Sequence, residues 1–586
     1  MEQFASLIAA LDRSNSTLDK VGAMRRYFQS EPAEDCAWAV YFLAGGKPQK
    51  LVATRVLREA AYEVAAIPEW LFDECYQAVG DLAETIALLL PEQSAGPHDC
   101  TGSFDHWMRA RLLPLRALEP EATRAALVGI WAVLDSWQRF VFNKLITGGL
   151  RLGVSRQLVL RALSEASGVD ARVIAQRIMG YTDRKANPEA ARYRALVAAQ
   201  PVPQPAANQQ APEAGTDQVT DASMAGAVPD IALQSDPATL LLPYPFMLAN
   251  SWETPRAASE RAPDWLAEWK WDGIRAQLVK RGDQVAIWSR GEELLTDRFP
   301  EILSAARRLP SGTVLDGELL CWMPGSQRPM DFAAMQTRIG RLQPGAATLK
   351  KAPARFIAFD CLEREHADLR PLTLVERRGA MLAIINEAQA DPNTLCVAAA
   401  IATPDWDERA RIREDARLHG AEGLMLKRLD SAYGIGRSRA DGGAWFKWKL
   451  DPFSVDAVLI YAQAGHGRRA GLYTDYTFAV WDRARDADSE PRLIPFAKAY
   501  SGLTDAEIRE VDAIVRKTTI ERFGPVRSVT PSLVFEIGFE GIARSTRHRA
   551  GVSVRFPRML RWRRDKTVDE ADGLAALEAM LAHGRG

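Results

Sequence analysis

Glu268-Trp269-Lys270-Trp271-Asp272-Gly273-Ile274-Arg275 is the stretch on which the reading of this chain turns. A lysine two residues before an Asp-Gly pair belongs where a strand gives way to a turn. Alone, the Lys-x-Asp-Gly pattern is a weak signal, and an exposed lysine at a strand end would account for it. The stretches that follow in order weigh against that bland account. Ser289-Arg290-Gly291 comes first, then Asp316-Gly317-Glu318 at the end of a strand-like run and Phe359-Asp360 closing another. Glu422-Gly423-Leu424-Met425-Leu426-Lys427, Lys447-Trp448-Lys449 and Arg563-Arg564-Asp565-Lys566 complete the series.

Outward from this series the chain divides by composition. Residues 237–450 mix short β-rich runs (AQLVK, QVAIWS, TVLDGELLCW, ARFIAFDCL, GLMLKRL) with helical stretches such as LVERRGAMLAIINEAQ, an α+β pattern. Residues 451–586 alternate in short strands around one helix near 504–517, which suggests a small barrel of the OB type. Residues 1–198 read as all-α, with apolar residues spaced by three and four. Between them, 199–236 is rich in Pro, Ala, Gln, Asp and Ser; it cannot bury a core and reads as a flexible linker.

Of 586 residues, 47% are hydrophobic and 25% charged, as in a soluble multi-domain enzyme, and no apolar run is long enough to span a membrane. The N-terminus lacks the features of a signal peptide, and the six cysteines are scattered with no CxxC pair, so zinc and disulfides are disfavoured and a reducing cytoplasm is expected. A net charge of −1 argues against a nucleic-acid partner only on average, because nine Arg and Lys residues between 544 and 566 face a single acid, Asp565.

The ordered series resembles the successive motifs of the covalent nucleotidyltransferase superfamily over residues 268–566. The resemblance implies ATP as co-substrate, with Lys270 as the nucleophile that carries AMP. A lysine amine attacks phosphorus only when unprotonated, so its basicity must be lowered by burial or nearby cations. Lys447 and Lys449, one strand repeat apart, project to one face and could supply that positive potential. Glu318 and Glu422 are candidates for the ribose and for Mg²⁺ (with Mn²⁺ as the alternative), Glu318 favoured for the ribose and Glu422 for the metal. The resemblance further implies that Phe359 stacks on adenine and Glu268 meets its amino group. Arg275 and Arg290 would stand by the sugar and phosphates, Arg437 or Arg439 by AMP (Arg437 favoured), and Arg563 and Lys566 by the departing pyrophosphate.

The flanks narrow the family. RFPRMLRWRRDK resembles the last motif of ATP-dependent DNA ligases, and the helical N-terminus resembles their DNA-binding domain. Its FNKLITGGLRLGVS segment would offer Lys144, Gly148, Gly149 and Arg151 to phosphates. WFKWKLDPFSVDAVLIYAQAGHGRRAGLYTDYTFAVWD looks especially like the bacterial LigB-type enzymes. The implied partner is nicked duplex DNA, encircled by a monomer in the cytoplasm at the nucleoid. An RNA-joining relative and a non-catalytic DNA-binding scaffold are the alternatives.

Overall fold

The computed structural model describes residues 1–14, 16–48, 50–79, 81–91, 102–148, 150, 152–182, 188–199, 241–253, 260–403, 405–437, 443–465, 471–483, 491–523 and 526–583. The expected linker lies almost wholly outside them.

From Glu2–Arg13 to Ala190–Val197 the described chain is helical, and the reason is local. The first helix buries Phe4, Leu7, Ile8 and Leu11, one stripe at spacings of three and four. Helix Ser136–Thr147 opens on a capping box of Asp135 and Gln138 and closes on Gly148 in the left-handed region. Helix Arg156–Ser167 is capped by Ser155. These stripes meet in one core that includes Trp38, Trp131, Phe142 and Leu163. EWLFDECYQAVGDLAETIALLL, continuous in pattern, splits into helices Glu69–Val79 and Leu82–Leu89, because Asp81 caps a new start.

The middle of the chain builds two sheets. The first carries, in spatial order, Asn250–Ser251, Trp445–Lys449, Ala421–Arg428, Trp265–Trp271 and Ala400–Ile401. The second runs Gln284–Ser289, Ile274–Arg281, Thr313–Cys321, Ala354–Arg364 and Ala367–Asp368, with Leu395–Val397 also on Ala354–Arg364. Asp272-Gly273 is the crossing from one sheet to the other. A Cβ on Gly273 would lie 2.4 Å from the Leu319 carbonyl oxygen, so only glycine passes there.

Beyond residue 450, strand Phe453–Ala464 changes partner along its length. Its first half pairs with Val534–Phe539 and its second with Val526–Val529, while Tyr473–Asp482 lies along its other edge. That exchange wraps the sheet around a core of Leu459, Phe478, Phe496, Phe535 and Ile537, with helix Asp505–Thr518 against it. Among the described residues no pairing joins the outer strands Arg492–Ala499 and Arg558–Trp562, so the expected OB barrel is seen as an open wrapped sheet. A separate hairpin, Gly541–Arg544 with Val552–Arg555, projects from it.

Candidate active site

A cavity of about 640 Å³ opens between the two middle sheets, within the range of nucleotide-sized pockets. Strand alternation explains its lining. Glu268 and Lys270, two apart on Trp265–Trp271, point into it, and the turn at Gly273 brings Arg275 to the same wall. Glu318 faces Arg275 across the pairing of Thr313–Cys321 with Ile274–Arg281. Phe359 comes from Ala354–Arg364, Lys447 from Trp445–Lys449, and Arg290 and Arg437 from two rim loops. Eight of the sequence-predicted residues therefore share one cavity, contributed by segments up to 180 positions apart.

The Lys270 Nζ donates to a Glu422 oxygen 2.6 Å away, and Lys449 Nζ reaches the same oxygen at 3.2 Å. Burial opposes ionisation of Glu422, but Lys270 and then Lys449 hold its carboxyl below the ordinary value. Gly423 makes this approach possible: at φ +137°, a Cβ there would lie 2.2 Å from the Trp448 carbonyl oxygen. Burial pushes the Glu318 carboxyl up to about 8 against the pull of Lys270 and Arg275. Burial, followed by the charges of Arg437, Lys449, Lys270 and Arg290, lowers Lys447 below an ordinary lysine.

The rear wall holds charges that the sequence did not single out. Lys427, 1% exposed, donates to the Phe359 carbonyl at 3.2 Å and pairs with Glu268 at 2.7 Å. Its ammonium stands 4.2 Å from the Phe359 ring centre and 4.4 Å from that of Trp445. Arg378 donates to the other Glu268 oxygen at 2.7 Å. Lys427 closes a quoted motif and could have been flagged; Arg378, on helix Leu374–Glu387, carries no sequence signal.

Arg275 lines the cavity opposite Glu318. Its guanidinium is spent on Asp316, the Met247 carbonyl and the Tyr433 hydroxyl, so it braces the wall. Asp272, next to Lys270 in the motif, is held by Arg555 from the projecting hairpin.

Known proteins bear on this arrangement. Three family models match in chain order: DNA ligase N terminus over 1–164, ATP dependent DNA ligase domain over 246–449, and ATP dependent DNA ligase C terminal region over 469–566. A "Probable DNA ligase" of Anaeromyxobacter sp. is 32% identical over 61% of this chain and 68% of its own length. The chain belongs to the ATP-dependent DNA ligases. A "Probable DNA ligase" of Koribacter versatilis is 29% identical over 99% of the ligase and 96% of its own length. Another of that name from Opitutus terrae is 31% identical over 99% of the ligase, which spans 62% of that relative. A solved structure named Pmar-Lig_Pre. shares the fold, with TM-score 0.58 and 14% identity, covering 96% of the ligase and 99% of that chain.

Other expected residues of the ligase stand elsewhere. Arg563 and Lys566 do not reach the cavity; both reach Asp456, at 2.7 and 2.6 Å, inside the C-terminal unit. Much of the basic run is likewise paired, Arg558 with Glu540, Arg561 with Glu536 and Arg564 with Glu510. Lys144 is ion-paired with Asp81, and its ammonium stands over the Phe140 ring. Gly148 is a helix cap. Gly149, Arg151 and Arg439 lie outside the described residues. No helix among the described residues is long and apolar enough to cross a membrane.

Proposed function

We propose that the ligase seals 3′-OH/5′-phosphate nicks in duplex DNA through an AMP carried on Lys270. The observation that supports this most is the Lys270 amine standing in a nucleotide-sized cavity that Lys447 also lines, on a Glu422 oxygen it shares with Lys449.

In this reading adenine enters against Phe359, with Glu268 at its edge and Lys427 and Arg378 fixing Glu268. Glu318 meets a ribose hydroxyl, and the metal falls to Glu422, whose carboxyl Lys270 and Lys449 hold below the ordinary value. Among the described residues no three His, Cys, Asp or Glu form a ready metal cage. That fits a cation held by one carboxylate, water and phosphate, where it would neutralise phosphate charge. For attack, Lys270 must lose its proton and its hold on Glu422; Lys447, Arg290 and Arg437 then balance the α-phosphate as the Nζ–P bond forms and pyrophosphate leaves. Arg563 and Lys566 serve this first step only after the C-terminal unit turns. The 5′-phosphate of the nick next takes AMP from Lys270, and the 3′-OH displaces it.

We assign residues 1–198 to DNA binding, 199–236 to a linker, 237–450 to adenylation and 451–586 to an OB-type unit. Together they close around DNA as a monomer in the bacterial cytoplasm, in repair. Lys270→Ala should take no label from ATP radioactive at the α-phosphate, while the parent protein is labelled and seals nicked DNA. Labelling of that variant would sink the assignment, and sealing of nicked RNA alone would replace the substrate.

A further inference from the structure

The helical domain touches the nucleotide cavity indirectly, through both loops that carry its rim arginines. Glu292 follows Arg290 and Gly291 in a tight turn closed by the Glu292 N–H on the Ser289 carbonyl and the Glu293 N–H on the Ser289 hydroxyl. Its backbone sits at φ +61°, a conformation that L residues rarely adopt. Its carboxylate is only 5% exposed, and its partners come from the helical domain: Arg156 in an ion pair, the Gly180 N–H at 3.2 Å and the Thr182 hydroxyl at 3.5 Å. A buried carboxylate on a strained turn is held there by what satisfies it.

The second rim loop is gripped by the same domain. Ile435, two residues before Arg437, packs against the helical core. Gly436 is so close to Gln157 that a Cβ would lie 2.5 Å from the Gln157 Nε2. Behind it, Arg370 donates to the Gln176 oxygen at 3.1 Å, and the Arg370 carbonyl accepts from the Tyr433 N–H. Arg156, Gln157, Gln176 and Gly180 thus form one contact that fixes both loops.

We propose that this docked face of the helical domain is a positioning element for ATP, setting Arg290 through Glu292 and Arg437 through Ile435 and Gly436. This rests on the cavity being the nucleotide site. The helical domain would then contribute to the first chemical step before any DNA is present. Without the contact, the Glu292 turn relaxes and Arg290 loses its fixed aim. ATP binding weakens, while the groups around Lys270 are untouched.

The test is lysyl-AMP formation by the full chain against ATP concentration, without DNA. In Arg156→Ala the KM for ATP should rise roughly five- to tenfold with kcat within about twofold, the range of ordinary coupling between sites. Arg156→Lys should recover part of the loss. If Arg156→Ala does not fold, Gln157→Ala and Gln176→Ala, at the edge of the same contact, should each raise KM in the same direction. A KM within about twofold of the parent in the folded variants overturns the inference. Failure of the parent protein itself to form lysyl-AMP would instead sink the proposed function.

Discussion

Replacing Lys427 by Met and Glu268 by Gln, singly and together, tests the charged rear wall of the cavity. Lys427 is 1% exposed and Glu268 is nearly as buried, at 2.7 Å. Removing one partner of such a pair costs about 3–5 kcal/mol when the other is left alone. Lys427→Met leaves Glu268 with Arg378, so the lower end, about 3 kcal/mol, is expected. Glu268→Gln strands two cations and should cost about 4–5 kcal/mol. In the double variant only Arg378 is stranded, so its cost should fall short of the sum of the two single costs by about 2 kcal/mol, well above the few tenths expected of independent sites. The chain has several units and will not melt as one, so the transition to follow is the one that added ATP moves. Costs that simply add would refute the pairing. A KM for ATP unchanged in Glu268→Gln would remove Glu268 from the adenine site.

Further expectations concern single groups. Glu318, raised to about 8 from an ordinary value near 4.5, binds its proton more tightly folded than unfolded, so its contribution is full below the unfolded value and lost as pH rises from there through 8. Glu318→Gln should therefore flatten the pH dependence of ATP-free melting between about 5 and 8; an identical slope in both proteins would contradict it. Arg563→Ala or Lys566→Ala should impair self-adenylylation more than sealing of pre-adenylylated nicks, and equal losses would undo their assignment. Lys144→Ala should cost about 1 kcal/mol of stability while leaving nick affinity within about twofold; a shallower salt dependence of DNA binding would return Lys144 to the DNA interface.

What could be read from the sequence was whatever is set locally. Gln284–Ser289 is the quoted run QVAIWS, and Thr313–Cys321 lies within TVLDGELLCW, because alternating and β-branched residues between turn formers decide a strand on the spot. Lys270, Glu318, Phe359 and Lys447 converge because each stands on a strand of the two sheets that border one cavity, so the order of the motifs along the chain sufficed to gather them. What was not legible is pairing at a distance, where the partner lies far along the chain. Nothing near Lys144 announces Asp81, nothing near Arg275 announces Asp316, and nothing near Arg563 announces Asp456. A charge whose counter-ion is remote looks available. Helix Leu374–Glu387 likewise hid Arg378, because the helix packs on the second sheet while this side chain reaches across to Glu268 on the first.

The contact between Lys270 and Glu422 has a protective side. On the reading proposed above, the Lys270 amine is also open to carbamoyl, acetyl and other acyl donors that wander through any cell, and a single such adduct would end the working life of the molecule. An ammonium tied to a carboxylate has no lone pair to offer them. On the proposed reading, the Glu422 contact would shield the amine until ATP displaces it.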